Sequence, residues 1–436
     1  MQTIFEPEMQ IPVAEEVDVL VVGAGPAGVS AAICAAREGA STLLVEQTGD
    51  VGGIATAGLM SHWTGNTEGG FYDEILSRSA EAPGEWETAK FNGTMRQVIN
   101  PERLKTVLLE MLEEAGVKLR LYTFSSRALV EEGVIKGIIT QSKAGRQAIL
   151  SKIVIDATGD GDIAADAGVP YFKGRESDGK MQPVTIMFKV AGVDVERGVF
   201  PGGFEENLPV PMGDIQTLGK QHLPFPAGHV LLYKTTLPGV VTCNMTNCIE
   251  VDGTNPADLT RATLECRRQM GPIVAFLREY VPGFENCFII SSASLIGVRE
   301  TRHFEGEKQL TPQDIEDAKI FDDWAVTRAS FNFDVHNLTG NGLDDTGVQK
   351  EFKQERGYTI PYGCLVPQKV DNLLLAGRDI SGTHMAHSNF RVMPICANMG
   401  QAAGVAASLC IKENIPPRAL DVKKLQKRLT EQGVRP

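Results

Sequence analysis

The sequence lacks a run of about eighteen consecutive apolar residues, the length needed to cross a bilayer as a helix. Its first segment, Met1–Glu16, has neither the basic start nor the apolar centre of a secretory signal. Basic residues are outnumbered, since 42 Lys and Arg against 55 Asp and Glu give a net charge of −13. This charge disfavours nucleic acid and anionic membrane surfaces as partners. We therefore expect a cytoplasmic protein that binds neither a membrane nor nucleic acid.

Paired cysteines are missing as well. The eight cysteines are scattered without a C-x-x-C spacing, and Cys243 and Cys248 alone are weak evidence for a metal or iron–sulfur site. We expect reduced thiols and no metal site. The chain of 436 residues is long enough for two domains with substantial cores.

A glycine-rich turn near the start of the chain is its most informative feature. The apolar run Val17–Val22 predicts a buried strand, which leads directly into the turn. Gly23 permits a tight bend, Gly25 lets a pyrophosphate approach the backbone, and Gly28 lets the next helix pack on the strand. An accidental glycine spacing is the alternative to a dinucleotide site.

The elements that follow the turn favour the dinucleotide site. A helix predicted from about Ala27 to Glu38 would point its positive N-terminal end at the phosphates. Glu46 ends the next predicted strand, Thr42–Val45, where a carboxylate can accept hydrogen bonds from ribose hydroxyls.

Two later strands are also predicted to end in glycine and charge. Lys152–Asp156 leads into Thr158–Asp162, and a buried strand after Asp371 ends at Gly377–Asp379. Open α/β sheets bind ligands at the carboxyl ends of their strands. The helix of small residues predicted at Met393–Ser408 can approach a cofactor closely.

The middle of the chain differs in character. It contains the predicted helix Asp258–Glu279 and the segment Gly198–Gly228, which is dense in glycine and proline and has little periodicity. So long an irregular segment inside a compact domain predicts a lid or binding loop.

Six ordered blocks resemble the FAD-dependent oxidoreductases of the glutathione-reductase type. More narrowly, they resemble bacterial FAD-dependent oxidoreductases with an Ala-Thr-Gly-Asp-Gly-Asp block. The blocks are Gly23–Gly28, Val51–Gly53, Ile155–Gly168, Ile296–Arg302, Leu375–Asp379 and Arg391–Gly404. The resemblance implies an α/β fold in which a Rossmann-type FAD-binding domain of glutathione-reductase type, residues 1–172 and 360–436, carries an inserted α+β substrate or cap domain, residues 173–359.

The resemblance also implies the cofactor-binding residues. Thr158, Gly159 and Gly377–Asp379 would lie near the pyrophosphate and ribityl groups, and Phe124 beside the adenine. The full implied set is Gly23, Gly25, Pro26, Ala27, Gly28, Glu46, Gln47, Gly52, Gly53, Ile54, Ala55, Thr56, Phe124, Thr158, Gly159, Asp160, Gly377, Arg378, Asp379, Gln401 and Ala402.

Two departures from related flavoproteins refine this expectation. Flavoproteins of the fumarate reductase and succinate dehydrogenase group often link FAD to a histidine after the second glycine pair, but Ile54–Thr56 contains none. We therefore expect non-covalent FAD. No second glycine-rich fingerprint with an acid at ribose distance occurs, so an external electron donor or acceptor is expected. The sequence leaves open whether the chain forms a homo-oligomer.

The catalytic candidates are His384, His387, Arg391 and Arg299. Either histidine could act as the base or acid for a substrate hydroxyl, with a structural hydrogen bond as an equally weighted alternative. Arg391 could stabilise negative charge on reduced flavin, or form a surface ion pair instead. Arg299, with Arg302, could clamp a carboxylate or a polyhydroxylated substrate, or belong to a buried ion network.

Weaker signals place four more residues near the flavin ring. Gln182 and Thr185 are expected to face it from the second domain. His62 and Trp63 follow the second glycine pair, although a packing role is the stronger expectation for Trp63.

These observations predict an FAD-dependent oxidoreductase that acts on a small polar substrate, with CH–OH or CH–N oxidation favoured because the histidines offer a base. The alternatives are reduction of an activated C=C bond and a flavoprotein subunit of an electron-transfer complex. Turnover of a dye by the isolated chain would favour an enzyme, whereas a co-purifying iron–sulfur partner would favour the subunit.

Overall fold

The computed structural model describes residues 2–81, 96–201, 206–344 and 357–435. Its strands are β1 (Val13–Val22), β2 (Thr42–Val45), β3 (His62–Thr64), β4 (Arg96–Val98), β5 (Lys118–Arg120), β6 (Phe124–Glu131), β7 (Val134–Ser142), β8 (Gly145–Asp156), β9 (Tyr171–Lys173), β10 (Phe188–Ala191), β11 (Pro209–Val210), β12 (Gly213–Asp214), β13 (Leu232–Lys234), β14 (Val241–Cys243), β15 (Phe288–Ser292), β16 (Arg302–Phe304), β17 (Trp324–Ala329), β18 (Tyr358–Pro361) and β19 (Leu373–Leu375). Its α-helices are α1 (Pro26–Arg37), α2 (Phe71–Ser79), α3 (Pro101–Glu114), α4 (Asp162–Asp166), α5 (Ile215–His222), α6 (Pro256–Tyr280), α7 (Pro312–Glu316), α8 (His384–Phe390), α9 (Met393–Glu413) and α10 (Val422–Glu431).

A seven-stranded sheet in the order β5-β2-β1-β8-β7-β6, with β19 beside β8, forms the centre of the fold. Strands β5, β2, β1, β8 and β19 run parallel. In their register Val22 lies opposite Val45 and Asp156, and Leu375 also lies opposite Asp156. The carboxyl ends of four strands therefore meet at one edge. This confirms a mixed α/β fold with a parallel sheet.

The local predictions on this sheet agree with the structure in part. Asn100 caps α3 by accepting a hydrogen bond from the backbone N–H of Glu102 at 3.1 Å. The strand predicted at Lys152–Asp156 begins earlier in the structure, at Gly145, as β8. Its first half pairs antiparallel with β7, and Ala148–Asp156 pair parallel with β1, which explains the greater length of the strand.

Helices α1 and α9 run side by side at unusually short range. A Cβ atom added to Gly400 would lie 2.0 Å from the carbonyl oxygen of Ala27, and one added to Gly404 would lie 2.2 Å from that of Ala31. Ser408 donates a hydrogen bond to the carbonyl of Ala35 at 2.9 Å. Small residues thus let the two backbones touch. By length and composition α9 could cross a membrane, but 89% of its apolar window is buried inside the protein, as in the core helix of a globular fold.

A second hydrophobic core lies around an antiparallel sheet in the order β13-β14-β10-β15 and helix α6. It contains buried side chains from Val184 to Ala293, together with Leu59. The first core contains side chains up to Val169 and again from Phe304 onward. Buried side chains from Phe304 to Phe333 therefore pack with the first core although they fall in the range 173–359 expected for the second domain. The domain division itself stays a prediction.

The segment Gly198–Gly228 differs from the expected irregular lid. Its residues 202–205 lie outside the described residues, and the rest includes the pair β11–β12 and helix α5. Ile215 is fully buried in the second core. Gln216 exchanges hydrogen bonds of 2.8 and 2.9 Å with the backbone of Val230. The expectation of an irregular segment is therefore wrong for Ile215–His222, which forms a helix with buried side chains, whereas residues 206–214 are exposed or half-buried. Movement of this segment as a lid stays a prediction.

Candidate functional site

A cavity of about 370 Å³ opens where the carboxyl ends of the parallel strands meet. Val22 and Gly23, Val45 and Glu46, Ala157 and Thr158, and Ala376 and Gly377 line it from four adjacent strands. Residues of the second core, including Thr185, Met187 and Tyr233, line its other end. The cavity is therefore bounded by side chains of both cores.

The glycine turn forms one wall. Gly23 has φ +94°, a left-handed conformation that favours glycine, and a Cβ there would lie 2.5 Å from the carbonyl oxygen of Ala157. Gly28 has no room for a side chain, since a Cβ would lie 1.8 Å from the carbonyl oxygen of Gly23. Gly25 is different, because a Cβ there would meet no protein atom within 4 Å.

Gly25 is also the N-cap of α1, and no side chain caps that helix. The N–H groups of the first turn therefore lack the usual side-chain acceptor, and the helix dipole adds positive potential there. An open surface above Gly25 beside uncapped N–H groups fits an anionic phosphate.

Glu46 lies beyond the glycine turn at the end of β2. Its Oε2 accepts a hydrogen bond from the N–H of Ala24 at 2.8 Å, and its Oε1 accepts one from Thr48 at 2.7 Å. These bonds fix the carboxylate at the cavity wall, and each oxygen keeps lone-pair capacity for a ribose hydroxyl. Gln47 and Phe124 line the same end, where the Phe124 ring is 55% exposed.

A partly buried arginine also lines the cavity. Arg378 binds Asp160 Oδ1 through Nη2 at 3.1 Å, while its Nη1 has no hydrogen-bond partner among the described residues. Nearby, Asp156 accepts hydrogen bonds from Thr158 and Ala164, and burial raises its pKa to about 6. The free guanidinium nitrogen fits a further negatively charged or hydroxyl-bearing part of a cofactor.

Two arginines and one carboxylate lie together at the far end. Arg391 Nη2 contacts Asp334 at its carbonyl oxygen (2.8 Å) and at Oδ2 (3.0 Å). Arg299 donates to the carbonyl of Pro183 at 2.6 Å and forms no ion pair within the described part of the chain. His336 completes the group, with Nε2 3.4 Å from Asp334 Oδ1.

Burial sets the charges of this group. It lowers the pKa of Arg299 to about 10 and that of His336 to about 4. At neutral pH the arginine is therefore still charged and the imidazole is neutral. Burial alone would raise the pKa of Asp334, but the neighbouring His336 and Arg391 outweigh it and hold that pKa well below its usual value. The group thus carries two positive charges against one negative charge.

Most of the predicted cofactor and catalytic residues line this cavity. They are Gly23, Gly25, Pro26, Ala27, Glu46, Gln47, Gly53, Ile54, Phe124, Thr158, Gly159, Asp160, Arg299, Gly377, Arg378 and Arg391. His62 and Thr185, expected near the flavin ring, also line it, whereas Trp63 packs against Tyr72.

The other predicted cofactor residues lie outside the cavity wall, for packing reasons. Gly28 and Gly52 form tight backbone contacts, Ala55 is buried, Thr56 bonds the carbonyl of Val51, Asp379 is fully buried, and Gln401 and Ala402 lie deep in α9. Gln401 Oε1 accepts a hydrogen bond from the N–H of Phe71 at 2.9 Å. Only the first turns of α9, at Met393 and Cys396, reach the cavity.

The two predicted catalytic histidines also lie away from the cavity wall. His384 Nδ1 is 2.5 Å from Glu300 Oε1, and His387 is fully buried against His303. Helix α8 turns this face inward, so the histidines do not reach the space that a substrate would occupy. The histidine pair therefore gives no support to a base in the cavity.

The polar cavity residues missed by the sequence reasoning include Tyr233, Asn244, Asp334 and His336. Asp334 and His336 are two residues apart in a segment without a recognisable motif. Their only signal is the alternation of apolar and polar residues in Phe331–His336, and a single sequence cannot place that stretch at the cavity.

The comparisons with known proteins point to one enzyme family. The model of the family described as FAD dependent oxidoreductase matches residues 18–429. Digeranylgeranylglycerophospholipid reductase 2 of Methanopyrus kandleri is 30% identical over 209 residues, which cover 43% of this chain and 50% of that protein. Digeranylgeranylglycerophospholipid reductase of Methanosarcina acetivorans is 24% identical over 223 residues, with coverages of 43% and 50%. The match thus spans about half the length of these curated relatives.

Among solved structures, a geranylgeranyl bacteriochlorophyll reductase-like protein of Thermoplasma acidophilum matches 96% of this chain and 84% of that chain. Its TM-score is 0.49 at 14% identity.

Proposed function

Because the chain belongs to the FAD-dependent oxidoreductase family, we propose that it oxidises or reduces a small substrate that carries a carboxylate or a similar anionic group. The observation that carries this proposal is the excess of positive charge at the far end of the cavity. Arg299 and Arg391, both partly buried, line the cavity together with one carboxylate, that of Asp334. A partly desolvated guanidinium without its own carboxylate partner is costly, and an anionic ligand offsets that cost.

The two arginines are suited to different tasks. Arg391 is held by Asp334 through two contacts, so its guanidinium has a fixed position. Arg299 donates one hydrogen bond, from Nη1 to the carbonyl oxygen of Pro183, and forms no ion pair with a described residue. Its remaining guanidinium N–H groups are available for a bidentate contact with a substrate carboxylate. We assign substrate anchoring to Arg299 and stabilisation of developing negative charge to Arg391.

We assign the proton-accepting role to His336 in place of His384 or His387. Burial and the charge of Arg299 lower its pKa to about 4, so the imidazole is neutral at pH 7 and a weak base. Asp334, 3.4 Å from its Nε2, offsets part of that lowering when a proton is accepted. Bound FAD supplies the two-electron redox step. Removal of a hydroxyl or amine proton by His336 supports the oxidation of a CH–OH or CH–N carbon.

Reduction of an activated C=C bond is the second candidate. Burial lowers the pKa of both Arg299 and Arg391, which makes each a better proton donor than an exposed arginine. The two archaeal relatives are named reductases, which also favours this direction. In either direction we propose that the electrons come from or go to an external partner.

We expect FAD to be bound without a covalent link, since Ile54–Thr56 offers no histidine at the position used by some related flavoproteins. Acid precipitation should release the yellow cofactor into the supernatant. His62 and Cys396 also line the cavity, so a covalent bond to either would keep the colour in the pellet and overturn the expectation.

A paired substrate screen tests the function. The protein is mixed without air with small hydroxy and amino acids, and separately with their neutral amides, while flavin absorbance is followed. Dithionite-reduced protein is mixed in parallel with α,β-unsaturated acids and their amides. We expect the acid of a reactive pair to react at least about 100-fold faster than its amide, because the amide leaves Arg299 unpaired. Equal rates for acid and amide would contradict the proposal.

A further inference from the structure

We propose that Glu300, His303 and His387 form a binding site for a divalent transition-metal ion behind the substrate end of the cavity. His303 lies on β16, Glu300 shortly precedes that strand, and His387 lies on α8. One ligand atom from each of the three side chains lies within 4.8 Å of the other two. A modest closing of these donors would surround one ion at bond lengths of about 2.0–2.2 Å.

The local structure explains why the donors converge. Glu300 is three residues before His303, and a hydrogen bond of 2.8 Å joins its Oε1 to His303 Nε2. His384 is three residues before His387 on α8, a spacing that puts both imidazoles on one helix face. That face packs against Glu300, where His384 Nδ1 reaches the same oxygen at 2.5 Å.

The imidazole of His387 points to a further ligand. It is fully buried, and neither of its ring nitrogens has a hydrogen-bond partner among residues 2–81, 96–201, 206–344 and 357–435. His303 Nδ1 is also buried and has no hydrogen-bond partner among the described residues. Buried polar atoms without partners are rare and costly, and a metal ion would satisfy one nitrogen of each imidazole.

Glu300 supplies the charge that such an ion requires. Its Oε1 contacts His303 Nε2 at 2.8 Å and His384 Nδ1 at 2.5 Å, and its Oε2 accepts a hydrogen bond from the backbone N–H of Gln182 at 3.0 Å. This carboxyl group is only 1% exposed. Within the described residues its ion-pair contacts are limited to the two histidines, with no lysine or arginine among them. Arg391 attracts this carboxylate from a distance without forming an ion pair, and a divalent cation would give Glu300 a direct positive partner.

The donor set indicates the class of metal. Two imidazoles and one carboxylate suit Zn²⁺ and its d-block neighbours, whereas Ca²⁺ and Mg²⁺ require mostly oxygen ligands. Aromatic rings enclose the donors, with Phe172 stacked on His303 at 4.9 Å and Phe390 edge-on to His387 at 5.5 Å. His384 would act as the outer hydrogen-bond partner that orients the carboxylate.

The metal site would fix the positions of both cavity arginines. Arg299 adjoins Glu300 in the chain, and the backbone N–H of Arg391 donates to the carbonyl of His387 at 3.2 Å. Gln182 joins the two sites, since its N–H donates to Glu300 Oε2 at 3.0 Å and its Oε1 accepts from Arg391 at 3.4 Å. The ion is therefore a positioning element rather than a reactant.

Zinc binding to the FAD-loaded protein tests this proposal. The holoprotein is stripped with a chelator and then titrated with ZnCl₂ against a chromogenic competitor. We expect one zinc per chain with a dissociation constant below about 1 μM, and X-ray absorption should show nitrogen and oxygen neighbours at about 2.0–2.1 Å with histidine scattering. Binding of less than one equivalent at 10 μM zinc, or sulfur neighbours, would overturn the proposal.

Two ligand variants and one control locate the ion. His387→Gln and Glu300→Gln should each weaken zinc binding at least about 100-fold, beyond the 10–100-fold typical for loss of an outer partner. His222→Gln, an exposed histidine at the end of α5, should bind zinc like the unaltered protein. FAD content and circular dichroism report folding of each variant. Loss of zinc binding in His222→Gln would contradict the assignment, and so would normal zinc binding in folded His387→Gln. If a ligand variant does not fold, the X-ray absorption spectrum of the unaltered protein tests the assignment instead.

Discussion

Replacing Gly25 by valine should give a folded protein that no longer retains FAD. The backbone of Gly25 has φ −70° and ψ −176°, which any residue adopts, and a Cβ there would meet no protein atom within 4 Å. The valine side chain would therefore enter the cavity above the uncapped start of α1, in the space that fits the pyrophosphate. The measurement is the ratio of flavin absorbance to protein absorbance after gel filtration, with circular dichroism as the test of folding.

Gly271→Val is the matched control. A Cβ at Gly271 also meets no atom within 4 Å, but this residue lies in α6, far along the chain from the glycine turn. The control should keep its FAD. Full FAD occupancy in Gly25→Val would show that the cofactor lies elsewhere, and loss of FAD in both variants would show that the effect is not local.

Changing Arg391 to alanine should lower kcat/KM by about 10²–10³-fold, or about 2.7–4 kcal/mol, the effect of losing one preorganised group that stabilises developing charge. The guanidinium lines the cavity and is fixed by Asp334, so little reorganisation is needed when charge develops. FAD content should fall far less than in Gly25→Val. Turnover is measured with the acid identified by the paired screen, and bound flavin is measured in the same sample.

Two further variants interpret the Arg391 result. Arg391→Lys keeps a positive charge but lacks the planar fork, so it should recover only part of the lost rate. Arg197→Ala removes a 60% exposed side chain that pairs with Asp194 and Glu285, and it should leave turnover nearly unchanged. Equal loss of FAD and turnover in Arg391→Ala would make Arg391 an architectural residue.

The sequence predicted the cofactor end of the cavity better than the substrate end, for a physical reason. The glycine turn is local, because Gly23 to Gly28 and the helix that follows are adjacent in the chain and their spacing fixes their geometry. The far end is assembled from distant segments. Asp334 joins Arg391 across 57 residues, and Gln182 joins Arg391 across 209. Spacing carries no information on such contacts.

The helices show a second limit of sequence reasoning. The pattern of small residues correctly predicted a helix at Met393–Ser408, observed as Met393–Glu413, but not that only its first turns would reach the cavity. The periodicity of α8 likewise puts His384 and His387 on one face, yet only packing decides which way that face points. The family resemblance implied Gln401 and Ala402, and the two histidines were chosen for their titratable side chains, but none of the four lines the cavity.

The close contact between α1 and α9 fixes where each helix begins along the cavity. Gly400, Gly404 and Ser408 meet Ala27, Ala31 and Ala35 in order, so the two helices are parallel and in register. Met393 lies seven residues before Gly400, so α9 begins about 10 Å beyond the level of Ala27, at 1.5 Å per residue. One helix starts beside the phosphate turn and the other starts farther along the same cavity. The glycine contacts therefore fix the offset between the start of α1, beside the glycine turn, and the start of α9, next to Arg391.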